Sequence, residues 1–312
     1  MTAILEVTDL VKRYGDFVAL DHLNLKVQEG EIFGLLGPNG SGKTTAIFSI
    51  LSLLSFDKGE VKLWGQKMHP TAYDLKARIG IVPQQLALFR DLTVREQIDT
   101  FCHLYVKDTK KRRELVEEAI RFCGLQKFQK FQMKKLSGGL QRRLNIACGI
   151  VHQPELLFMD EPTVAVDAQS RQFILEGIKK LQSQGTTVIY STHYLEEAEM
   201  LCDRIAILDQ GEKIAEGTLP ELKSMIQTSE IIELEMPEIP ADFLEAVQKL
   251  PRLVSAEQEG SRFTMSFASG GQPISAILHL LDERDLPYTS IHSTQPSLNE
   301  VFLALTGKDL RE

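Results

Sequence analysis

Apolar positions along the first 225 residues follow two periods in turn. Ile4-Leu5-Glu6-Val7 and Leu20-Asp21-His22-Leu23-Asn24-Leu25 alternate every second residue, the spacing of strands with one buried face. Short, largely apolar runs at 32–36, 79–82, 155–159, 187–190 and 204–208 predict further strands, those at 79–82 and 155–159 buried. Between them the spacing turns helical. Thr93-Val94-Arg95-Glu96 has the form of a capping box, and Val116, Ile120 and Cys123 share one helical face. Leu140, Leu144, Ala147 and Val151 do the same, and a further amphipathic helix is expected over about 169–182. Strands alternating with helices predict a mainly parallel α/β domain over residues 1–227, with a helical subdomain at about 90–150.

Beyond about residue 227 the texture changes. Ile232, Leu234 and Met236 alternate as a strand, and 243–250 reads as a helix. The runs on either side of Glu259-Gly260-Ser261 form a hairpin, and Ile274, Ile277, Leu278 and Leu281 mark a helix. After a last strand at 288–292, Ser297-Leu298-Asn299-Glu300 caps a helix that buries Leu298, Val301, Phe302 and Leu305 and ends at Gly307. The order βαββαβ predicts a small ferredoxin-like α+β domain over 228–312, without a catalytic constellation.

The chemistry gathers in the first domain. The strand at 32–36 runs into Gly37-Pro38-Asn39-Gly40-Ser41-Gly42-Lys43-Thr44-Thr45 and then into a helix. Strand, glycine loop and helix in that order make a phosphate-binding loop. Its glycines let backbone N–H groups curl around a polyphosphate, and the helix adds its positive end. Lys43 is placed to reach the β- and γ-phosphates, and the Thr44 hydroxyl to ligate Mg²⁺. Leu136-Ser137-Gly138-Gly139 opens a second helix with the features of an anion-binding start. Asp160 and Glu161 follow a buried strand, where paired carboxylates need a cation or a proton to manage their charge. His193 ends the next strand and shares an edge with the phosphate site. Tyr14 lies on a turn, where an aromatic ring either stacks on a base or covers a sheet edge.

Composition narrows the partners. The net charge of −8 argues against nucleic acid, whose binding needs a basic footprint. Four widely spaced cysteines suggest reduced, packed thiols in the cytosol. No secretory segment opens the chain and no apolar run approaches the ~20 residues that span a bilayer. A membrane role is therefore expected to come through a partner.

Five elements together resemble the nucleotide-binding subunit of ABC transporters: the loop 37–45, Gln84 after Val82-Pro83, Leu136-Ser137-Gly138-Gly139, Asp160-Glu161-Pro162, and His193. The resemblance covers roughly 4–225, and the Leu-Ser-Gly-Gly element is almost confined to that family. The end of the chain, Pro296 to Gly307, is similar to that of ABC-2-type export ATPases. The resemblance implies a P-loop NTPase cassette that binds ATP and Mg²⁺. Tyr14 would stack on adenine, and Gly37 to Thr45 would hold the phosphates. Thr44 and Gln84 would sit on the metal, with Asp160 acting through water. Glu161 would polarise the attacking water and His193 would touch the γ-phosphate. Ser137, Gly138 and Gly139 would close on nucleotide held by the opposite subunit, and Asp167 would link the two sites.

The implied assembly is a dimer, homodimeric or heterodimeric, on a membrane permease at the cytoplasmic face. The implied function is export. The alternative is a soluble cassette ATPase acting on ribosomes or DNA. Such proteins usually carry two cassettes or long coiled-coil arms, and this chain has one cassette and no sustained heptads. It departs from the family at Leu140, where Gln is usual, at Val164-Ala165-Val166 before Asp167, and at Ala168, where Pro is frequent. Of the adjacent Gln84 and Gln85, Gln84 is taken as the one facing the metal.

Overall fold

The structure is a computed structural model that describes residues 3–226, 228–240, 242–268 and 272–307. Its contacts divide the chain into two compact units, one ending at Gly217 and the other beginning at Thr218. The first unit opens with β1 (Ala3–Tyr14), β2 (Phe17–Gln28) and β3 (Ile32–Leu36), then α1 (Lys43–Ile50), β4 (Lys58–Leu63) and β5 (Gln66–Lys67). There follow α2 (Tyr73–Lys76), β6 (Ile79–Val82), and the helices α3 (Val94–His103), α4 (Thr109–Phe122) and α5 (Gly138–Ile150). The unit continues through β7 (Leu156–Asp160), α6 (Ala168–Ser183), β8 (Thr187–Thr192), α7 (Leu195–Leu201), β9 (Arg204–Asp209) and β10 (Glu212–Gly217).

Two sheets share this unit. An antiparallel sheet has the order β2-β1-β4-β5, and a second has the order β10-β9-β3-β8-β7-β6. Every pairing in the second sheet is parallel except the β9–β10 hairpin. The five residues of β3 and of β7 are all buried, because helices or the other sheet cover both faces. Alternation then assigns the sides. Phe33, Leu35, Leu156 and Phe158 pack with α1 residues Ala46, Ile47 and Ile50 and with the antiparallel sheet. Ile32, Leu157, Met159, Val188 and Tyr190 face the other core, formed with α3, α4, α5 and α6. Thr93 and Glu96 make both bonds of the expected capping box at the start of α3.

The first strands run further than the alternation suggests. Asp9 and His22 take φ of 55° and 49°, and the β1–β2 register shifts between Val7 and Leu10. These interruptions break the period-two pattern without ending the pairing.

The second unit begins with α8 (Leu219–Ser224) and β11 (Thr228–Glu235), then α9 (Phe243–Val247), β12 (Leu253–Glu259) and β13 (Arg262–Ala268). It ends with α10 (Pro273–Glu283), β14 (Ser290–Thr294) and α11 (Leu298–Thr306). Its sheet is antiparallel with the order β12-β13-β11-β14, the arrangement of the expected βαββαβ domain. Ile232, Leu234, Phe263, Met265 and Phe267 point to one face and pack with Phe243, Val247, Ile277 and Leu281. The unit starts earlier than the boundary expected at 227. The reason is α8, capped by Thr218 and Glu221, which packs with α11 and so belongs to this unit. Among the described residues no helix is long and apolar enough to cross a membrane.

Candidate active site

β3 lies inside the parallel sheet, and residues 37–42 turn the chain from its C-terminal end into α1. Gly40 and Gly42 take φ of 82° and 104°, where a Cβ would strain the backbone. A Cβ on Gly37 would stand 2.2 Å from the Leu208 carbonyl oxygen, and one on Gly42 would stand 2.7 Å from that of Ala19. Close approach, as well as conformation, requires glycine at both. Hydrogen bonds from behind fix the loop: the Gly211 N–H donates to Ser41 O at 3.1 Å, and the Asp21 N–H to Gly211 O at 2.9 Å.

The loop encloses an underused set of polar groups. Ser41 Oγ is buried without a hydrogen-bond partner. Lys43 Nζ, on a side chain only 4% exposed, donates to the carbonyls of Gly37 and Pro38 at 2.8 and 2.9 Å. It also stands 3.3 Å from Glu161 Oε1. Burial holds the ammonium pKa below the usual lysine range, against the opposing pull of Glu161 and Asp160. A cradle of glycines, an orphaned hydroxyl and a desolvated ammonium fit a polyphosphate. Asn39 and Gly40 form the exposed crest of this loop, and Thr45 is half-buried in the first turn of α1.

Four parallel strands end beside it. At the end of β7, Asp160 accepts from Thr44 Oγ1 at 2.8 Å and from Ser191 Oγ at 2.6 Å. Its neighbour Glu161 takes φ of 45°, a left-handed conformation that costs a non-glycine residue about 1–3 kcal/mol and gathers at functional sites. That turn is held by the Glu161 N–H, which donates to Ser191 Oγ at 3.0 Å. The Glu161 carboxylate accepts from Gln84 Nε2 at 3.0 Å, beyond β6, and lies 3.2 Å from His193 Nδ1, beyond β8. Lys43, Thr44, Gln84, Asp160, Glu161 and His193 therefore meet in one place, and Gln84 is the glutamine whose amide reaches the Glu161 carboxylate.

Ser137, Gly138, Gly139 and Asp167 form a second cluster. Ser137 caps α5 by accepting from the Leu140 N–H at 3.4 Å, and both Ser137 and Gly138 are exposed. Gly139 is buried. A Cβ there would fall 2.2 Å from Ser170 Oγ and 2.8 Å from Asp167 Oδ2. Asp167 caps α6, accepting from the Ser170 N–H at 2.9 Å and from Ser170 Oγ at 2.8 Å, bonds that hold its carboxyl below the usual range. Tyr14 stands on the β1–β2 turn, half exposed, with the Lys12 ammonium 5.0 Å from its ring.

Curated relatives match this chain over its whole length. The linearmycin resistance ATP-binding protein LnrL of Bacillus subtilis is 37% identical over 311 residues, covering 99% of this chain and all of that protein. The chain belongs to the ATP-binding subunits of ABC transporters. The ABC transporter family model matches residues 20–164, and the C-terminal domain model of DrrA1-3-like ATP-binding proteins matches 217–306. The Nod factor export ATP-binding protein I of Cupriavidus metallidurans is 36% identical, with full coverage of both chains. Among solved structures, a dimeric post-hydrolysis ATP-binding cassette bound to ADP and Pi is 30% identical with a TM-score of 0.64, covering 69% of this chain and 98% of that one. Like its family, this subunit binds and hydrolyses ATP.

Three groups in the cassette escaped sequence reasoning. Ser191 bonds both the Asp160 carboxylate and the Glu161 backbone, yet it sits inside an apolar strand as an ordinary small residue. Arg142 Nη1 and Asn145 Nδ2 donate to the Pro83 carbonyl at 3.1 and 3.3 Å, and Asn145 Oδ1 accepts from the Ala87 N–H at 3.3 Å. They tie the Gln84 segment to α5. Burial pulls the Arg142 guanidinium pKa down, and the Asp160 charge opposes it. Polar residues at buried positions of an amphipathic helix were the available signal.

Proposed function

We propose that this subunit powers export through a separate membrane permease, as a dimer whose two ATP sites are each shared between subunits. Similarity along the full length to export and resistance ATP-binding proteins supports export. One observation carries the shared site. Ser137 and Gly138 present a capped helix start to solvent, while Lys43, Thr44, Gln84, Asp160, Glu161 and His193 of the same chain converge elsewhere. An exposed helix start with anion-binding features, set apart from the phosphate loop of its own chain, suits the nucleotide of a second subunit.

Within each site the loop amides and Lys43 hold the phosphates, and Tyr14 takes the adenine. Thr44, Gln84 and, through water, Asp160 are the oxygen donors for Mg²⁺, which would neutralise charge on the phosphate oxygens. Glu161 accepts the proton of the attacking water, positioned by the Ser191 bond to its backbone. His193 orients toward the γ-phosphate. Asp167, beside Gly139, carries the state of one site to the other. Binding to the permease places the subunit on the cytoplasmic face of the membrane.

Mixing two inactive variants tests the sharing. Lys43→Ala removes the phosphate grip and Ser137→Arg blocks the helix start. In a homodimer with shared sites, mixed dimers regain one intact site, and ATPase activity recovers in part. No recovery in dimers shown to be mixed would mean that each subunit holds a complete site.

A further inference from the structure

Outside the site just described, the most deeply buried carboxylate is that of Glu197 on α7, which is fully excluded from solvent. It has three donors. Tyr190 O–H donates to its Oε2 at 2.7 Å, Thr192 Oγ1 to the same oxygen at 2.9 Å, and Arg171 Nε to Oε1 at 2.6 Å. Tyr190 and Thr192 are themselves buried in β8, the strand that delivers His193. Arg171 belongs to the first turn of α6, where its N–H donates to the Asp167 carbonyl at 2.8 Å. The guanidinium also lies 4.8 Å from the Tyr194 ring, which stands 4.2 Å from the His193 ring. The Tyr194 N–H closes the circuit by donating to Thr192 Oγ1 at 2.9 Å.

A buried ion pair is a poor device for stability, since apolar residues of similar volume serve as well or better. What such a pair does supply is a fixed relation between the elements that contribute to it. Here those elements are the start of α6, which Asp167 caps and Gly139 of α5 packs against, and the end of β8, which leads into His193. We propose that Glu197, through Arg171, is a positioning residue that sets His193 against the start of α6. A shift of Asp167 and Gly139 on dimer closure is then felt at the γ-phosphate. The inference rests on the roles given to His193 and Asp167 above. Neither Glu197 nor Arg171 touches nucleotide.

The test uses the full-length chain. Arg171 is partly exposed, so Arg171→Met keeps the packed stem, removes the tie and leaves Glu197 its two hydroxyl donors. Affinity for a fluorescent ATP analogue should stay within about twofold while kcat falls about tenfold, the lower end of the cost of losing an outer-shell partner. Arg171→Lys should recover most of that loss. In a His193→Ala background, followed by single-turnover hydrolysis, Arg171→Met should add almost nothing, since nothing remains to be positioned. A wild-type kcat in Arg171→Met overturns the proposal. So does an equal fold-loss in the two backgrounds, or a fall in affinity that matches the fall in rate. If His193→Ala itself turns over normally, the reading of His193 fails and this inference fails with it. If His193→Ala is crippled while Arg171→Met is intact, only the inference fails.

Discussion

Replacing Glu161 by Gln should separate ATP binding from ATP hydrolysis. The two side chains have the same shape, and Gln84 and His193 still have a partner within reach. What disappears is the negative charge and the proton acceptor. Loss of a general base costs ~10²–10⁴-fold in rate, which is roughly 3–5 kcal/mol of barrier. Binding should move the other way. Lys43 is engaged by two loop carbonyls and by Glu161 at 3.3 Å, so incoming phosphates compete with a carboxylate for the same ammonium. A charged hydrogen bond is worth about 1.5–3 kcal/mol. This one is long, so about 1 kcal/mol is reasonable, or roughly a fivefold gain in ATP affinity. Phosphate release and titration with a fluorescent nucleotide read the two quantities on one preparation. Turnover near the wild-type rate would remove Glu161 from its role. Weaker ATP binding would refute the competition argument even if hydrolysis is lost.

Other expectations follow from single contacts. Gly139→Ala drives a methyl group into Ser170 and Asp167, and overpacking of this kind costs about 1–3 kcal/mol; chemical denaturation should show the loss, and hydrolysis should fall more than nucleotide binding. Phe302→Ala empties a position only 1% exposed on α11, so the second unit should lose about 3–5 kcal/mol. ATP affinity should not change, and a large change would place part of the nucleotide site in that unit. Burial raises the pKa of all four thiols, that of Cys123 to about 12. Iodoacetamide at pH 8 should therefore label the native protein slowly and the unfolded protein at four sites. A single fast-reacting thiol in the native state would contradict that burial.

The phosphate loop was legible because its demands are local: a strand, glycines where no Cβ fits, and a helix. The carboxylate pair was legible because charge directly after a buried strand calls for an explanation. Contacts made only by tertiary structure were not legible. Glu197 is one of three glutamates in Glu196-Glu197-Ala198-Glu199, and only the fold shows which of them faces Arg171. Ser191 looks like filler until β7 and β8 are paired, when it spans Asp160 and Glu161. Thr218-Leu219-Pro220-Glu221 has the form of a helix cap, but its sequence does not say that the helix packs with α11. In β1 and β2, left-handed residues within the strands concealed their length.

The position of β3 has a consequence for synthesis on the ribosome. Its only neighbours in the sheet are β8 and β9, and the phosphate loop leans on Leu208 and Gly211. All of these emerge long after Lys43. At about 5–20 residues per second, a nascent chain carries its nucleotide motif for roughly 8–34 s before the support arrives. Until β8 emerges, β3 is an apolar segment with both edges open, and until β9 emerges one edge stays open, which invites pairing with other chains. Chains arrested before β8 should fail to bind ATP beads, whereas chains arrested with residues up to 217 outside the exit tunnel should bind. Capture of the shorter chains would show that the loop takes shape without its sheet. A trigger for chaperone attention is thus written into the strand order, and it is discharged when the β9–β10 hairpin closes behind the loop.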